Sequence, residues 1–76
     1  MKWEALESKM LSAAAYDDLK QELYLRFRHT GHVYRYFEFT AADYQAFFTA
    51  ESKGRFFRSY IRDHFRFERM AKLHAA

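Results

Sequence analysis

The stretch Glu22 to Arg28, ELYLRFR, alternates with a period of two. Leu23, Leu25 and Phe27 fall on one face and Tyr24, Arg26 and Arg28 on the other, the pattern of a half-buried strand. His29-Thr30-Gly31 follows, ending in the one residue type that takes a positive φ without steric cost. His32 to Phe39, HVYRYFEF, is then β-branched and aromatic, a second strand by composition. These segments dictate a β-hairpin, and the rest of the chain must pack on it.

Turn length decides which face receives Tyr34 and Tyr36. A two-residue loop at Thr30-Gly31 pairs His29 with His32, so that Phe27 faces Tyr34 and Leu25 faces Tyr36. A three-residue loop inverts the parity and sets Arg35 on the apolar face. Burying an unpaired guanidinium is costly, so the first register is expected, with Tyr34 and Tyr36 on the core side. The opposite face then carries Tyr24, Arg26, Arg28, Val33, Arg35 and Phe37.

After the hairpin the period changes. The stretch TAADYQAFFTA begins with Thr40 as an N-cap and has Asp43 three residues on, a variant of the capping box. Tyr44, Phe47 and Phe48 stand at i, i+3, i+4, an apolar helical stripe. Ser52 caps a second segment in which Phe56, Phe57, Tyr60, Ile61, His64 and Phe67 share one side. Arg55, Arg58, Arg62, Arg66 and Arg69 line the other, which predicts a helix at least through Phe65. Before the hairpin, Lys9 to Asp17 reads two ways: its alanines favour helix, while Asp17-Asp18 closes it as a turn does.

At 76 residues the chain is one domain with a small core. Nine Phe and six Tyr supply most of the apolar bulk, which lets a few rings substitute for a larger aliphatic interior. The absence of cysteine excludes disulfides and thiolate chemistry and fits a reducing compartment. No apolar run approaches the roughly 18 residues of a membrane span, and MKWEALESK lacks the apolar region of a signal peptide. A cytoplasmic protein is expected. Residues 1–52 hold six Lys/Arg against eight Asp/Glu, a balance of −2, and residues 53–76 hold seven against two, a balance of +5. The positive charge is thus concentrated in the C-terminal third, where it can attract a polyanion or form the solvated face of a helix.

In order and spacing these features resemble the KTSC domain, a module that occurs alone or at the C-terminus of some lysyl-tRNA synthetases. Tyr34-Arg35-Tyr36 after Gly31 resembles its central Tyr-x-Tyr; Ser8, Leu11 and Tyr16-Asp17 resemble its opening; Leu23, Leu25 and Phe27 resemble its alternating strand. Ser52-Lys53-Gly54 followed by Phe57 and Ile61 resembles its Ser-x-Gly helix start. The chain departs from the family pattern at Phe39-Thr40, where Val-Pro is usual, and in a turn about one residue longer. The resemblance implies that Lys9 to Tyr16 is a strand. The expected fold is then α+β in β-β-β-α-α order: a three-stranded antiparallel sheet with two helices on one face. Residues 1–7 are expected as a tail, 8–67 as the domain, and 68–76 as a basic extension, with the end of the last helix left open by the absence of a glycine or proline stop. The resemblance also implies RNA binding, through the synthetase association.

No catalytic set is present in the sequence. Asp17-Asp18 are adjacent and diverge, Ser52 lacks a phosphate-binding loop, and the histidines at 29, 32, 64 and 74 have no ligand set for a metal. A non-enzyme without cofactor is expected. For nucleic acid, RNA favoured, the candidate residues are Lys53, Arg55, Arg58, Arg62, Arg66 and Arg69 on the helix, with a second patch at Tyr24, Arg26, Arg28 and Arg35 on the sheet. Arginine forks phosphate and stacks on bases, which is why this residue type in a row suits that ligand. Neither RNP motifs nor a GxxG clamp occurs. The alternative partner is a protein or a second copy, met by surplus rings among Phe37, Phe39, Phe65 and Phe67. No membrane role is expected, since the Phe-rich helix side is needed to cover the sheet.

Overall fold

Each strand pairs antiparallel with its neighbour in sequence, giving a five-stranded meander in the order β1-β2-β3-β4-β5. The computed structural model describes residues 1–70. The strands are β1 (Trp3–Ala5), β2 (Leu11–Asp17), β3 (Glu22–Phe27), β4 (Val33–Tyr36) and β5 (Phe67–Arg69). Between β4 and β5 lie α1 (Ala41–Thr49) and α2 (Lys53–Phe56), the latter continued by a π-helical turn over Phe57–Ile61.

The α+β class and the two helices agree with expectation, and the three-stranded sheet does not. Trp3–Ala5, expected as a tail, pairs with β2 in the register Trp3↔Ala15. Phe67–Arg69, where the sequence leaves the end of the last helix open, pairs with β4 in the register Tyr36↔Phe67. Three residues are too few to display a period, so neither edge strand has a signature of its own. The helix stops at Ile61 without glycine or proline. Phe65 turns back onto Phe39, ring centroids 4.9 Å apart, and Phe67 settles against Tyr34 and Tyr36 at 5.7 and 5.8 Å. Tertiary packing thus overrides a helical periodicity that continues on paper to Arg69. Residues 71–76 of the expected basic extension lie outside the described residues.

The hairpin corrects the register but keeps the faces. Phe27 and His32 bond through the Phe27 N–H and the His32 carbonyl at 2.9 Å, so the loop is the four residues Arg28 to Gly31. Leu25 therefore faces Tyr34 and Leu23 faces Tyr36, two positions from the expected pairing. A shift of two preserves parity, which is why Tyr34 and Tyr36 still point to the core side. Gly31 takes φ 74° and returns its N–H to the Phe27 carbonyl at 2.8 Å, the conformation that calls for glycine there.

Local chemistry fixes the helix starts as expected. The Thr40 hydroxyl accepts from Asp43 N–H at 3.1 Å and the Asp43 carboxylate accepts from Thr40 N–H at 3.0 Å. Ser52 accepts from Arg55 N–H at 3.1 Å. Asp17 accepts from the N–H groups of Leu19 and Lys20, the turn role expected of the acidic pair. The alanine-rich segment is a strand because it is paired on both sides: Ala14 is buried beneath the helices, and Ala15 on the other face under Trp3 and Tyr24.

The main core lies between sheet and helices. Leu11, Leu23, Leu25, Tyr36 and Phe39 meet Phe47, Phe57 and Ile61, all buried. Tyr16 ties this layer to the chain after β4, donating its hydroxyl to the Phe39 carbonyl at 2.6 Å and stacking on Tyr44 at 4.6 Å.

Candidate functional site

The sheet patch expected at Tyr24, Arg26, Arg28 and Arg35 is occupied by the protein's own groups. Tyr24 is only 8% exposed, covered edge-on by Trp3, and donates its hydroxyl to Glu22 at 3.1 Å. It therefore offers no open ring face, contrary to the reading from the strand pattern. The missed signal was Trp3, whose bulk in a three-residue strand covers its neighbour. Arg26 lies over the Trp3 ring at 5.1 Å. Arg28 donates to the carbonyls of Leu6, Ser8 and Leu11 and so staples the β1–β2 connection. Arg35 sits between Glu22, at 3.7 Å, and Glu68, to which it donates directly.

The helix stripe is also redistributed. Arg66 follows the turn to the outer sheet side, where it lies over Phe37 at 4.2 Å with Arg35 at 5.0 Å from the same ring. Lys53 donates to the Ala50 carbonyl at 2.6 Å. Arg69 stands on β5 opposite Tyr34. Arg55, Arg58 and Arg62 keep exposed positions on α2 and its π turn, and Arg62 has only a loose pair with the adjacent Asp63 at 3.7 Å.

Two concavities flank this segment. The larger, about 670 Å³, runs between the β1–β2 connection and the start of α2. Its lining mixes Glu4, Glu7 and Glu51 with Lys9, Lys53 and Arg58. Gly54 forms part of it; a Cβ there would meet Met10 Cβ and Ser8 Oγ at 3.7 Å, ordinary contact distances. Packing alone therefore does not demand the glycine of Ser52-Lys53-Gly54.

The smaller cleft, about 380 Å³, opens between the hairpin loop and the π turn. Its walls are Phe27, Tyr34, Tyr36, Phe57 and Phe67, with Met10 beside them and His29, Thr30, His32 and Arg62 completing the lining. Among the described residues no carboxylate contributes to it. Tyr34 and Tyr36 stack at 6.4 Å with planes 24° apart, and Phe27 meets Tyr34 and Phe57 edge-on at 5.3 and 5.2 Å. Tyr36 is 3% exposed, whereas Phe67 keeps 52% of its surface in water. Burial, aided by the neighbouring Tyr34, pushes the Tyr36 phenol well above its ordinary range, so it stays protonated. Neither Tyr34 nor Tyr36 directs its hydroxyl to a hydrogen-bond partner among the described residues.

The π turn shapes the mouth of this cleft. Its closing bond runs from Arg62 N–H to the Phe57 carbonyl at 2.9 Å, and both of those residues line the cleft while Ile61 between them is fully buried. Such turns are often found where a helix serves a site. Among the described residues there is no group of three or more His, Asp and Glu able to hold a metal, and no helix long and apolar enough to cross a membrane.

Comparison with known proteins agrees with this architecture. No curated protein matches the chain. The crystal structure of a KTSC domain protein from Yersinia pestis superposes with a TM-score of 0.87 at 28% identity, over 92% of this chain and 97% of that one. The sequence profile of the KTSC domain matches residues 7–65, most of the length, and the chain belongs to the KTSC domain family.

Proposed function

We propose that this chain is a small non-catalytic module of the cytoplasm that binds nucleic acid, RNA in preference to DNA. The observation that carries the reading is the run of exposed arginines Arg55, Arg58 and Arg62 on one helical segment, ending at an aromatic cleft without a carboxylate. Exposed guanidinium groups neutralise phosphates and release counterions, while ring faces accept bases. RNA stands above DNA because of the association of such modules with lysyl-tRNA synthetases. The sheet arginines are not part of the proposed track, because Arg26, Arg28 and Arg35 are already engaged within the protein.

The test is fluorescence anisotropy of labelled single-stranded RNA, with duplex DNA alongside, at about 50 and 200 mM salt. Micromolar binding at low salt that weakens steeply at the higher salt, and is lost in Arg58→Glu/Arg62→Glu, supports the track. No binding at either salt refutes it.

A second reading rests on the exposed Phe67 in the edge strand β5: a protein partner, or a second copy, pairing along that edge. It predicts salt-tolerant self-association in sedimentation equilibrium that Phe67→Ser removes.

A further inference from the structure

The arginine track accounts for phosphate contacts, and the geometry of the aromatic cleft bears on the form of nucleic acid that meets it. We infer that the cleft is a seat for one unpaired nucleobase with its phosphate, so that the ligand is single-stranded at this point. The inference rests on the nucleic-acid reading and names the form of ligand that the site takes.

Size sets the first limit. At about 380 Å³ the cleft lies at the low end of the range for small-molecule sites, roughly 300–1,000 Å³. It has room for one heterocycle with its sugar and none for a duplex. Shape sets the second. The Tyr34 and Phe67 rings are tilted 50° at 5.7 Å, and the Phe67 ring stands half in water at the mouth, where an incoming planar group can lie against it. Stacking on an aromatic ring is the usual means of holding an unpaired base.

Charge and hydrogen bonding point the same way. The ionisable residues of the lining are Arg62, His29, His32 and the two tyrosines, so nothing there repels a phosphate. The larger groove sets Glu4, Glu7 and Glu51 against Lys9, Lys53 and Arg58 and so has no such one-sided lining. The hydroxyls of Tyr34 and Tyr36 lack protein partners among the described residues, and each can donate to or accept from the polar edge of a base. An aliphatic or aromatic peptide side chain would leave those hydroxyls unmatched, at a cost.

Two measurements test this on the intact chain. In the first, adenosine and cytidine monophosphates are titrated while the aromatic ring signals are followed by NMR, with N-acetyltyrosine amide as a control. Shifts confined to Tyr34, Tyr36, Phe57 and Phe67, and absent with the control, are expected. Equal shifts with the control would overturn the assignment in favour of a peptide side chain. In the second, single-stranded RNA affinity is compared between wild type and Phe67→Ala, whose exposed ring should be removable without loss of the fold. A loss of about five- to a hundred-fold with an unchanged salt slope is expected, since a stack is lost and no phosphate contact. RNA binding that Arg58→Glu/Arg62→Glu abolishes but Phe67→Ala leaves intact overturns the seat and spares the arginine track. Nucleotide shifts without binding of the polymer do the reverse, and the absence of both overturns both.

Discussion

The two faces of the sheet draw on the same residue types, arginine and aromatic rings, and use them in opposite ways. On the outer face the cations lie down on the rings. Arg26 covers Trp3, Arg35 and Arg66 bracket Phe37, and Glu22 and Glu68 neutralise Arg35. That face is sealed by its own side chains around Ala15, Tyr24 and Val33. On the inner face the rings pack on one another beneath two helices, and the arginines of the covering segment point away into water. At the hairpin end the inner face opens, where the π turn and Phe67 leave a cleft. Arginines and aromatics near each other therefore do not mark a binding surface by themselves. What separates the two faces is whether the protein has already supplied each cation and ring with a partner.

Substitutions can break or sharpen this contrast. The largest effect is expected at Tyr36, which is buried against Phe57 and Phe67: Tyr36→Ala should cost about 3–5 kcal/mol in urea unfolding, as other large aromatic truncations do. Trp3→Ala should cost less, about 1–3 kcal/mol, because the outer patch is shallow and Trp3 itself only partly buried. Equal costs would mean that the outer face is a second true core. Asp43→Ala should cost about 1 kcal/mol at neutral pH by removing one half of the capping box that starts α1. Burial pushes the Asp43 carboxyl up, but hydrogen bonds from the Tyr60 hydroxyl and from Thr40 outweigh it and hold it below the ordinary carboxylate range. A depressed carboxyl contributes stability that is complete above its unfolded value and is lost as pH falls through the folded one. The gap between wild type and Asp43→Ala should therefore close on acidification, and a gap that persists at pH 2 would contradict the assignment. The smallest change is expected at Gly54→Ala, stabilising by up to about 1 kcal/mol, since the helix gains a better former and the new Cβ finds ordinary contacts. A clear destabilisation would show the larger groove to be more tightly packed than its geometry indicates.

The parts of this arrangement legible in the sequence are those encoded by local rules. Alternation in Glu22 to Arg28, glycine at 31 and the capping residues Thr40, Asp43 and Ser52 each act through neighbours in the chain, and each stands where its chemistry calls for it. The arginines at 55, 58 and 62 could be assigned to an outward helix side for the same reason. Arg66 and Arg69 could not, because their fate depends on where the helix stops, and that is decided by Phe65 meeting Phe39 from a distant part of the chain. The sequence offers Tyr24 as a candidate contact because the three residues of β1 that cover it are too few to announce a strand. The cleft itself has no sequence signature, since it joins the hairpin loop to the π turn and to β5, and no window of sequence contains all three.

The meander has a consequence for how the chain reaches this state. With strands ordered as they occur in sequence, three of the four pairings close over short connections, and only β5 must wait for the helices to be laid down. Few long loops have to be closed before contacts reward them, so folding is expected within the range of small mixed domains, on the order of milliseconds. The last contacts to form would be those of β5, among them Phe67 on Tyr34 and Tyr36. The mouth of the aromatic cleft would then be both the final piece to assemble and the first to open, and a ligand seated there would hold β5 in place.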